Sequence, residues 1–279
     1  MHSNRVLLIV SFITCGLTDC NKNGTSNSVS GDGQAATLIK SYELIITDTV
    51  LANTSSDYTF TYSYDNNNRP TAATQTGTDT YKGAVTNLNF SAQFTYGQGT
   101  QTETGQLTRG GATYNTTLVY DLNSVGNPTK LVATSIVGTI NTVTTNSFSY
   151  DANAYCVEED NSSTTNNIAQ PATKTLFTIA GGNVVGENTY WATGGLISSI
   201  TYSYGTTSNK TDLRFSTPPI SGHPNNELVV SSNTSTQGIS SSALNYTYSL
   251  DSKGRVSAAM VTTPGGKTYM QYKNIQYIN

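Results

Sequence analysis

A repeated unit of two strands joined by a short turn constrains the fold of this chain more than any other feature. Its clearest copy is residues 246–263, with the sequence YTYSLDSKGRVSAAMVTT. Apolar and polar residues alternate on both sides of the turn, which is typical of half-buried antiparallel strands. The pattern predicts that two sets of side chains face each other, Leu244, Tyr246, Tyr248 and Leu250 on one strand and Val256, Ala258 and Met260 on the other.

The turn of this unit has its own chemistry. Asp251 suits the first turn position because its carboxylate accepts hydrogen bonds from the amides that follow. Gly254 suits the left-handed position of a type I turn with a bulge. Asn68 takes the glycine position in the copy at residues 62–70. The aspartates that follow other copies are expected to act in the same way, at Asp65, Asp121 and Asp151.

Weaker copies of the unit follow one another along the whole chain at intervals of about 28 residues, a length that suits two strands and two turns. The longest interval contains Pro218, Pro219 and Pro224, which predicts an insertion loop because proline cannot donate to a sheet ladder. With 18 Tyr against one Trp and only 11% charged residues, the composition favours strands and turns. We therefore predict an all-β single domain over residues 37–279, a large curved antiparallel meander of about 14–16 strands. The sheet is expected to be open or a partly closed barrel.

The N-terminus has the pattern of a bacterial lipoprotein signal. A basic start is followed by VLLIVSFIT, an apolar run too short to span a bilayer. Residues 1–14 are predicted to be the signal peptide and Cys15 the lipidated residue. Cys20 is one alternative, although Asp19 before it is unfavourable, and cleavage of the signal without lipid is another. Residues 15–36 lack periodic apolar residues and are predicted to form a flexible tether.

The composition excludes several classes of site. A net charge of −3 does not favour nucleic acid as a partner. His223 is the only histidine after the signal and there is no cysteine pair, so neither a zinc site, a cofactor nor a histidine-dependent nucleophile is predicted. Cys156 is expected to be a small buried hydrophobe. Two acidic clusters carry oxygens that suit Ca²⁺, residues 65–68 and 158–161, but neither has an EF-hand pattern and no metal is predicted.

One aromatic cluster departs from the Tyr-x-Tyr pattern. Tyr190 and Trp191 are adjacent, so on a strand one of the two rings must lie outside the core. Together with Tyr202 and Tyr204 they are the candidate ligand-binding residues. Thr49, between Asp48 and Val50, resembles a bacterial O-glycosylation acceptor.

The pattern Tyr-x-Tyr-x-x-Asp-x-x-Gly-Arg at residues 246–255 and its relative Tyr-x-Tyr-Asp-x-x-Asn-Arg at 62–69 are similar to the YD repeats of RHS-type proteins. The whole succession resembles a Bacteroidetes lipoprotein family of unknown function with a porin-like fold. In that family a Gly-Asn-Leu-Val-like turn, here residues 182–185, and an Asn-Lys segment, here residues 209–210, precede the last hairpin. The resemblance implies a curved antiparallel sheet and no established activity.

The sequence thus predicts a non-enzymatic protein with a structural or binding role, anchored by lipid to the outer membrane. Its expected partners are the membrane, through the lipid, and a glycan or another envelope protein. Two alternatives are an extracellular glycan-binding protein and a secreted hydrolase. An integral barrel is disfavoured because Thr, Ser and Asn lie opposite the tyrosines, where lipid-facing strands carry apolar residues.

Overall fold

The computed structural model describes residues 38–48, 50–209, 225–237 and 239–278. Strands occupy most of these ranges, because Thr, Tyr and Val alternate with polar residues between Gly- and Asn-containing turns. The strands are β1 (Ile39–Thr47), β2 (Ser55–Tyr64), β3 (Pro70–Tyr81), β4 (Ala84–Gly97), β5 (Thr100–Arg109), β6 (Ala112–Leu122), β7 (Pro128–Val137), β8 (Ile140–Tyr150), β9 (Cys156–Thr165), β10 (Ile168–Ala169), β11 (Thr173–Ala180), β12 (Asn183–Trp191), β13 (Leu196–Ser208), β14 (Glu227–Thr236), β15 (Ile239–Leu250), β16 (Val256–Thr262) and β17 (Thr268–Tyr277).

The sheet closes into a barrel. Each strand pairs antiparallel with its neighbour in sequence, and β1 pairs with both β2 and β17. The short β10 pairs only with β9, while β11 also pairs with β9. The result is a closed barrel of 16 strands with one extra strand. The predicted all-β meander of hairpins is confirmed.

The wall of the barrel is mainly apolar inside and polar outside along strands such as β4. In β4 the buried side chains are Leu88, Phe90, Ala92 and Phe94, whereas the residues between them are exposed Asn, Ser and Gln. The apolar side chains on the inward faces of the other strands join the same core. Within the described residues, no helical segment has the length and hydropathy of a membrane span.

Turns at one end of the barrel share one hydrogen-bond pattern. In the turns that begin at Asp65, Asp151 and Asp251, one carboxylate oxygen accepts two backbone N–H groups at 2.9 Å. This confirms the turn role of these three aspartates. The prediction for Asp121 is wrong, because β6 continues past it and the side chain of Asn123 caps that turn instead.

Arginine and tyrosine join two of these turns to the next strand. The guanidinium of Arg255 contacts the carboxylate of Asp251 at 2.7 Å and stacks over the ring of Tyr277, 4.3 Å from its centroid. Arg69 likewise forms an ion pair with Asp65, and its guanidinium stacks over the ring of Tyr96, 4.6 Å from the centroid. The Asp-x-x-x-Arg unit therefore fixes the turn and also holds the neighbouring strand.

The tyrosines near this end have a structural task of their own. Each donates its hydroxyl hydrogen bond to a backbone carbonyl at the start of the preceding strand, over 2.6–2.9 Å. Because these bonds recur around the barrel, they tie the hairpins to one another. The tyrosines that make them are Tyr64, Tyr96, Tyr150, Tyr204, Tyr248 and Tyr277.

The register of the β15–β16 hairpin differs from the prediction. A bulge after the turn pairs Leu250 with Val256 but Ser249 with Ala258, so the inward residues of β16 are Val256, Ala259 and Val261. Met260 and Leu250 are exposed instead. One extra residue on a strand moves all later side chains to the opposite face.

Gly254 has φ +76°, as the turn predicts, and Lys253 is exposed. Gly254→Val is expected to lower the free energy of unfolding by roughly 1–3 kcal/mol, because a β-branched residue is strained at positive φ. Lys253→Ala, one residue away, is the control and should change it by less than about 0.5 kcal/mol. Chemical denaturation of both variants compares them. Equal midpoints would contradict the strained turn.

The two ends of the barrel differ in what they carry. The Asp-turn end, as we call it, holds the turns at residues 65–69, 123–127, 151–155 and 251–255, the start of β1 and the end of β17. The distal end holds the opposite connections, including those between β1 and β2, β3 and β4, β7 and β8, and β12 and β13. The chain that precedes β1 therefore joins the barrel wall at the Asp-turn end.

Candidate functional site

The interior of the barrel is packed unevenly. Along β2 to β6 the inward side chains fill the space, and Tyr58, Phe60, Leu88, Leu107 and Tyr120 are at most 2% exposed. Along β8 to β14 many inward side chains are only half-buried. An inward side chain of a closed barrel is reached only from the interior, so the accessible interior space lies on the β8–β14 side.

Hydroxyl groups cover this accessible side near the distal end. Threonine and serine occupy the inward positions of β8, β9 and β11 to β14, as the pairing register shows. Some of them bond to each other across strands, such as Thr175 and Thr189 at 3.1 Å between their Oγ1 atoms. We call this set the hydroxyl wall, and its members include Thr144, Ser163, Thr175, Thr189, Ser198 and Thr234.

Two carboxylates face the interior beside the hydroxyl wall. Glu159 lies on β9 and accepts a hydrogen bond from the amide of Asn146. Glu187 lies on β12 and accepts one from the hydroxyl of Tyr202 at 2.9 Å. They are separated by β11, which pairs with both strands. No Lys or Arg of the described residues forms an ion pair with either carboxylate.

Burial shifts the protonation of both carboxylates. It raises the pKa of Glu187 to about 7, with the nearby charge of Glu159 adding to the effect and the Tyr202 hydrogen bond opposing it. Burial likewise raises the pKa of Glu159, against the hydrogen bond from Asn146. Near neutral pH Glu187 therefore exists in both forms, so it can donate or accept a hydrogen bond.

A further polar pair continues this row of groups. The hydroxyls of Ser232 and Tyr246 lie 3.1 Å apart, and both residues are buried. Together with the carboxylates, these side chains form what we call the interior polar belt: Asn146, Glu159, Glu187, Tyr202, Ser232 and Tyr246. The belt offers donors and acceptors next to aromatic rings, an arrangement suited to a small polar ligand.

Apart from Tyr202, the belt was not predicted from the sequence, which grouped Glu158, Glu159 and Asp160 as one acidic cluster. On a strand these residues alternate between faces, so Glu159 points inward while Glu158 and Asp160 point outward. Outside, the ammonium of Lys174 lies 2.8 Å from Glu158 and 3.4 Å from Asp160. The three adjacent carboxylates therefore lie on opposite faces of β9 and do not form one cluster.

The predicted ligand-binding residues do not lie in one place. Tyr202 is buried and Tyr204 is half-buried, and both hydroxyls donate hydrogen bonds, to Glu187 and to the carbonyl of Val184. Tyr190 and Trp191 lie toward the distal end of the barrel. Tyr190 is half-buried, whereas the indole of Trp191 is 42% exposed.

Trp191 is held by a turn. The backbone N–H of Trp191 donates to the carbonyl of Gly195, and the backbone carbonyl of Trp191 accepts from the N–H of Gly194, both at 2.8 Å. Its strand partner in β11 is Thr173, next to the hydroxyl wall. The exposed ring therefore stands at the distal opening of the accessible half of the barrel.

The remaining predicted sites are simpler to place. Cys156 is buried in the core, 3% exposed, as predicted. Cys15, Cys20 and Thr49 lie outside the described residues, as does His223.

Comparisons with known proteins identify the fold. The structure resembles the crystal structure of a porin-like protein from Bacteroides uniformis ATCC 8492, with a TM-score of 0.57, 15% sequence identity, and coverage of 88% of this chain and 99% of that chain. It also resembles a porin-like protein from Bacteroides vulgatus ATCC 8482, with a TM-score of 0.54, 12% identity, and coverage of 87% and 99%. Neither a protein-family model nor a curated protein matches the sequence. The chain therefore has the fold of these porin-like barrels.

Proposed function

We propose that this protein is a lipid-anchored, non-enzymatic barrel of the cell envelope, held at the outer membrane by an N-terminal lipid, with its wall in water. The observation that carries the proposal is the polarity of the wall. A barrel that spans a membrane carries an apolar band outside and a polar interior. Here the outward residues of β4 from Asn87 to Thr95 are Asn, Ser, Gln and Thr, and the apolar side chains between them are inside.

The anchor follows from the start of the chain. A barrel whose wall is unsuited to lipid needs another attachment if it is to stay at a membrane. The short apolar run that ends at Cys15 has the pattern of a lipoprotein signal. The interior polar belt then gives the anchored barrel a binding role rather than a purely mechanical one.

Labelling with a fatty-acid analogue tests the anchor. The full-length protein is expected to incorporate the label and to fractionate with membranes, and Cys15→Ala should abolish both. Cys20→Ala is the matched control and should leave labelling unchanged. Loss of the label in Cys20→Ala alone would move the site to Cys20, and labelling of neither cysteine would contradict the anchor.

A second candidate function is glycan binding, which Trp191 favours. An exposed indole beside a wall of hydroxyl groups suits a sugar, because the ring stacks on its apolar face while hydroxyls exchange hydrogen bonds. On β12, Thr189 of the hydroxyl wall lies between Trp191 and Glu187 of the polar belt.

Titration with soluble polysaccharides, followed by calorimetry, tests this function. Saturable binding is expected, and Trp191→Ala should weaken it about tenfold, a loss of roughly 1.4 kcal/mol. Leu250→Ala is a control, since Leu250 is similarly exposed but lies at the Asp-turn end. No heat with any polysaccharide would rule the function out, and release of new sugar ends over time would indicate a hydrolase instead.

A further inference from the structure

Most of the large apolar side chains that are exposed lie at the distal end of the barrel. They lie in distal connections and at the strand ends beside them, from β1–β2 to β12–β13. Val50 is 88% exposed, Ile168 69% and Val85 63%. We call this set the distal rim, and its other members are Leu51, Tyr81, Ile136, Ile140, Trp191 and Leu196.

The distal end carries fewer charges than the Asp-turn end. Its turns at residues 110–111, 138–139, 166–172 and 192–195 contain no charged residue, while two other distal turns carry Lys82 and Lys267. The carboxylate of Asp48 accepts hydrogen bonds from the backbone N–H groups of Val50 and Leu51, at 2.8 Å each. The Asp-turn end, in contrast, carries the Asp and Arg residues of its turns. Exposed apolar side chains also lie at the Asp-turn end, such as Val125 at 65% and Leu250 at 45%. The distal end therefore differs by having more of them beside fewer charges.

We propose that the distal rim inserts into the interfacial layer of a lipid bilayer. Its side chains stand on separate turns with Gly, Thr and Asn between them, rather than in one continuous patch. A packed protein interface needs contiguous complementary surface, whereas a fluid bilayer closes around spaced side chains. Trp191 and Tyr81 are of the type enriched at membrane interfaces, and the ammonium of Lys82 lies over the Tyr81 ring at 5.4 Å.

Chain length permits this contact in an anchored protein. The tether enters at the Asp-turn end, opposite the rim. About 23 residues separate Cys15 from Ile39, and a chain of that length spans up to ~80 Å when extended. A strand of 10 residues such as β17 spans only about 33 Å. The lipid and the rim can therefore reach one bilayer, although the rim contact stands on its own observations and does not require the lipid.

The single Trp of the chain makes the rim directly observable, since Trp191 is a member of it. The probe is a vesicle of phosphatidylcholine and phosphatidylglycerol with brominated acyl chains. The protein is a chain that begins at Asn21, secreted without lipid, so that only the rim can bind. Among the described residues, the first strand begins at Ile39. Trp191 emission is expected to shift to shorter wavelength, to be quenched by the bromines, and to lose at least half of its quenching by iodide.

Variants separate the rim from other surfaces. Ile168→Asn and Leu196→Asn should each lower vesicle binding by about fivefold to tenfold, because each removes apolar area from the contact. Val230→Asn and Leu250→Asn remove exposed apolar side chains nearer the Asp-turn end and should leave binding unchanged. The proposal would be overturned if the Trp191 emission wavelength did not change on adding vesicles and iodide still quenched it fully. A blue shift that depends on protein concentration without lipid would also overturn it, in favour of contact between two copies.

Discussion

Replacing Glu103 with glutamine is expected to raise the free energy of unfolding by roughly 3–5 kcal/mol at pH 8 and by only about 1 kcal/mol at pH 5. Glu103 lies on β5 and is 1% exposed. Neither of its carboxylate oxygens has a hydrogen-bond partner among the described residues. Burial raises the pKa of its carboxyl to about 8 from an ordinary value of 4.5.

The sign follows from proton binding. Below pH 4.5 the carboxyl is protonated in both the folded and the unfolded chain, so stability is unaffected. As the pH rises toward 8 the unfolded chain releases its proton while the folded chain retains it, and stability falls throughout that range. Glutamine keeps the shape of the side chain and does not titrate, so this loss disappears.

Denaturant unfolding of both proteins at pH 5 and pH 8 measures the effect. Glu43→Gln is the control, because Glu43 lies on the outward face of β1, where the expected change is within about 0.5 kcal/mol at either pH. A gain from Glu103→Gln that is equal at the two pH values would show that Glu103 is not buried as a neutral acid.

Gly77→Ala is expected to cost at least ~3 kcal/mol or to prevent folding. A Cβ atom at Gly77 would lie 1.9 Å from the carbonyl oxygen of Asp57 and 2.9 Å from Cα of Tyr58. These are backbone atoms of the paired strand β2, so the conflict is relieved only by separating β2 from β3.

The control for this substitution is Gly265→Ala. The nearest atom to a Cβ there is Oγ1 of Thr263, at 3.9 Å, an ordinary contact. Thermal unfolding followed by circular dichroism should show a large fall of Tm for Gly77→Ala and a small change for Gly265→Ala. Similar Tm values would mean that the β2–β3 pair is looser than the structure requires.

Local features of the fold were predictable because they depend on a few adjacent residues. The turn at Asp251 follows from an aspartate and a glycine three positions apart, and Gly254 has the expected positive φ. Local residue patterns did not predict that the barrel closes. Closure depends on the pairing of β1 with β17, whose residues are far apart in the sequence. The prediction of which β16 side chains point inward was wrong, because the residue pattern does not reveal the bulge after the turn.

The interior polar belt was hidden for a different reason. In β9 and β12 both faces carry polar residues, so alternation alone does not tell which one points inward. Glu159 and Glu187 become inward residues only through pairing with Phe148 and Phe177, whose rings mark the core face. The Tyr-x-Tyr pattern did predict a row of tyrosines, but their hydroxyl bonds to neighbouring carbonyls follow only from the folded barrel.

The most direct test of the account is the behaviour of the lipid-free chain in water. The protein that begins at Asn21, exported by a signal that adds no lipid, is passed over a size-exclusion column in buffer without detergent. A wall of polar side chains predicts a discrete species that retains the circular dichroism of β structure and its cooperative unfolding. Aggregation that only detergent reverses would show that the wall needs lipid, and would contradict a barrel that stands in water on an N-terminal anchor.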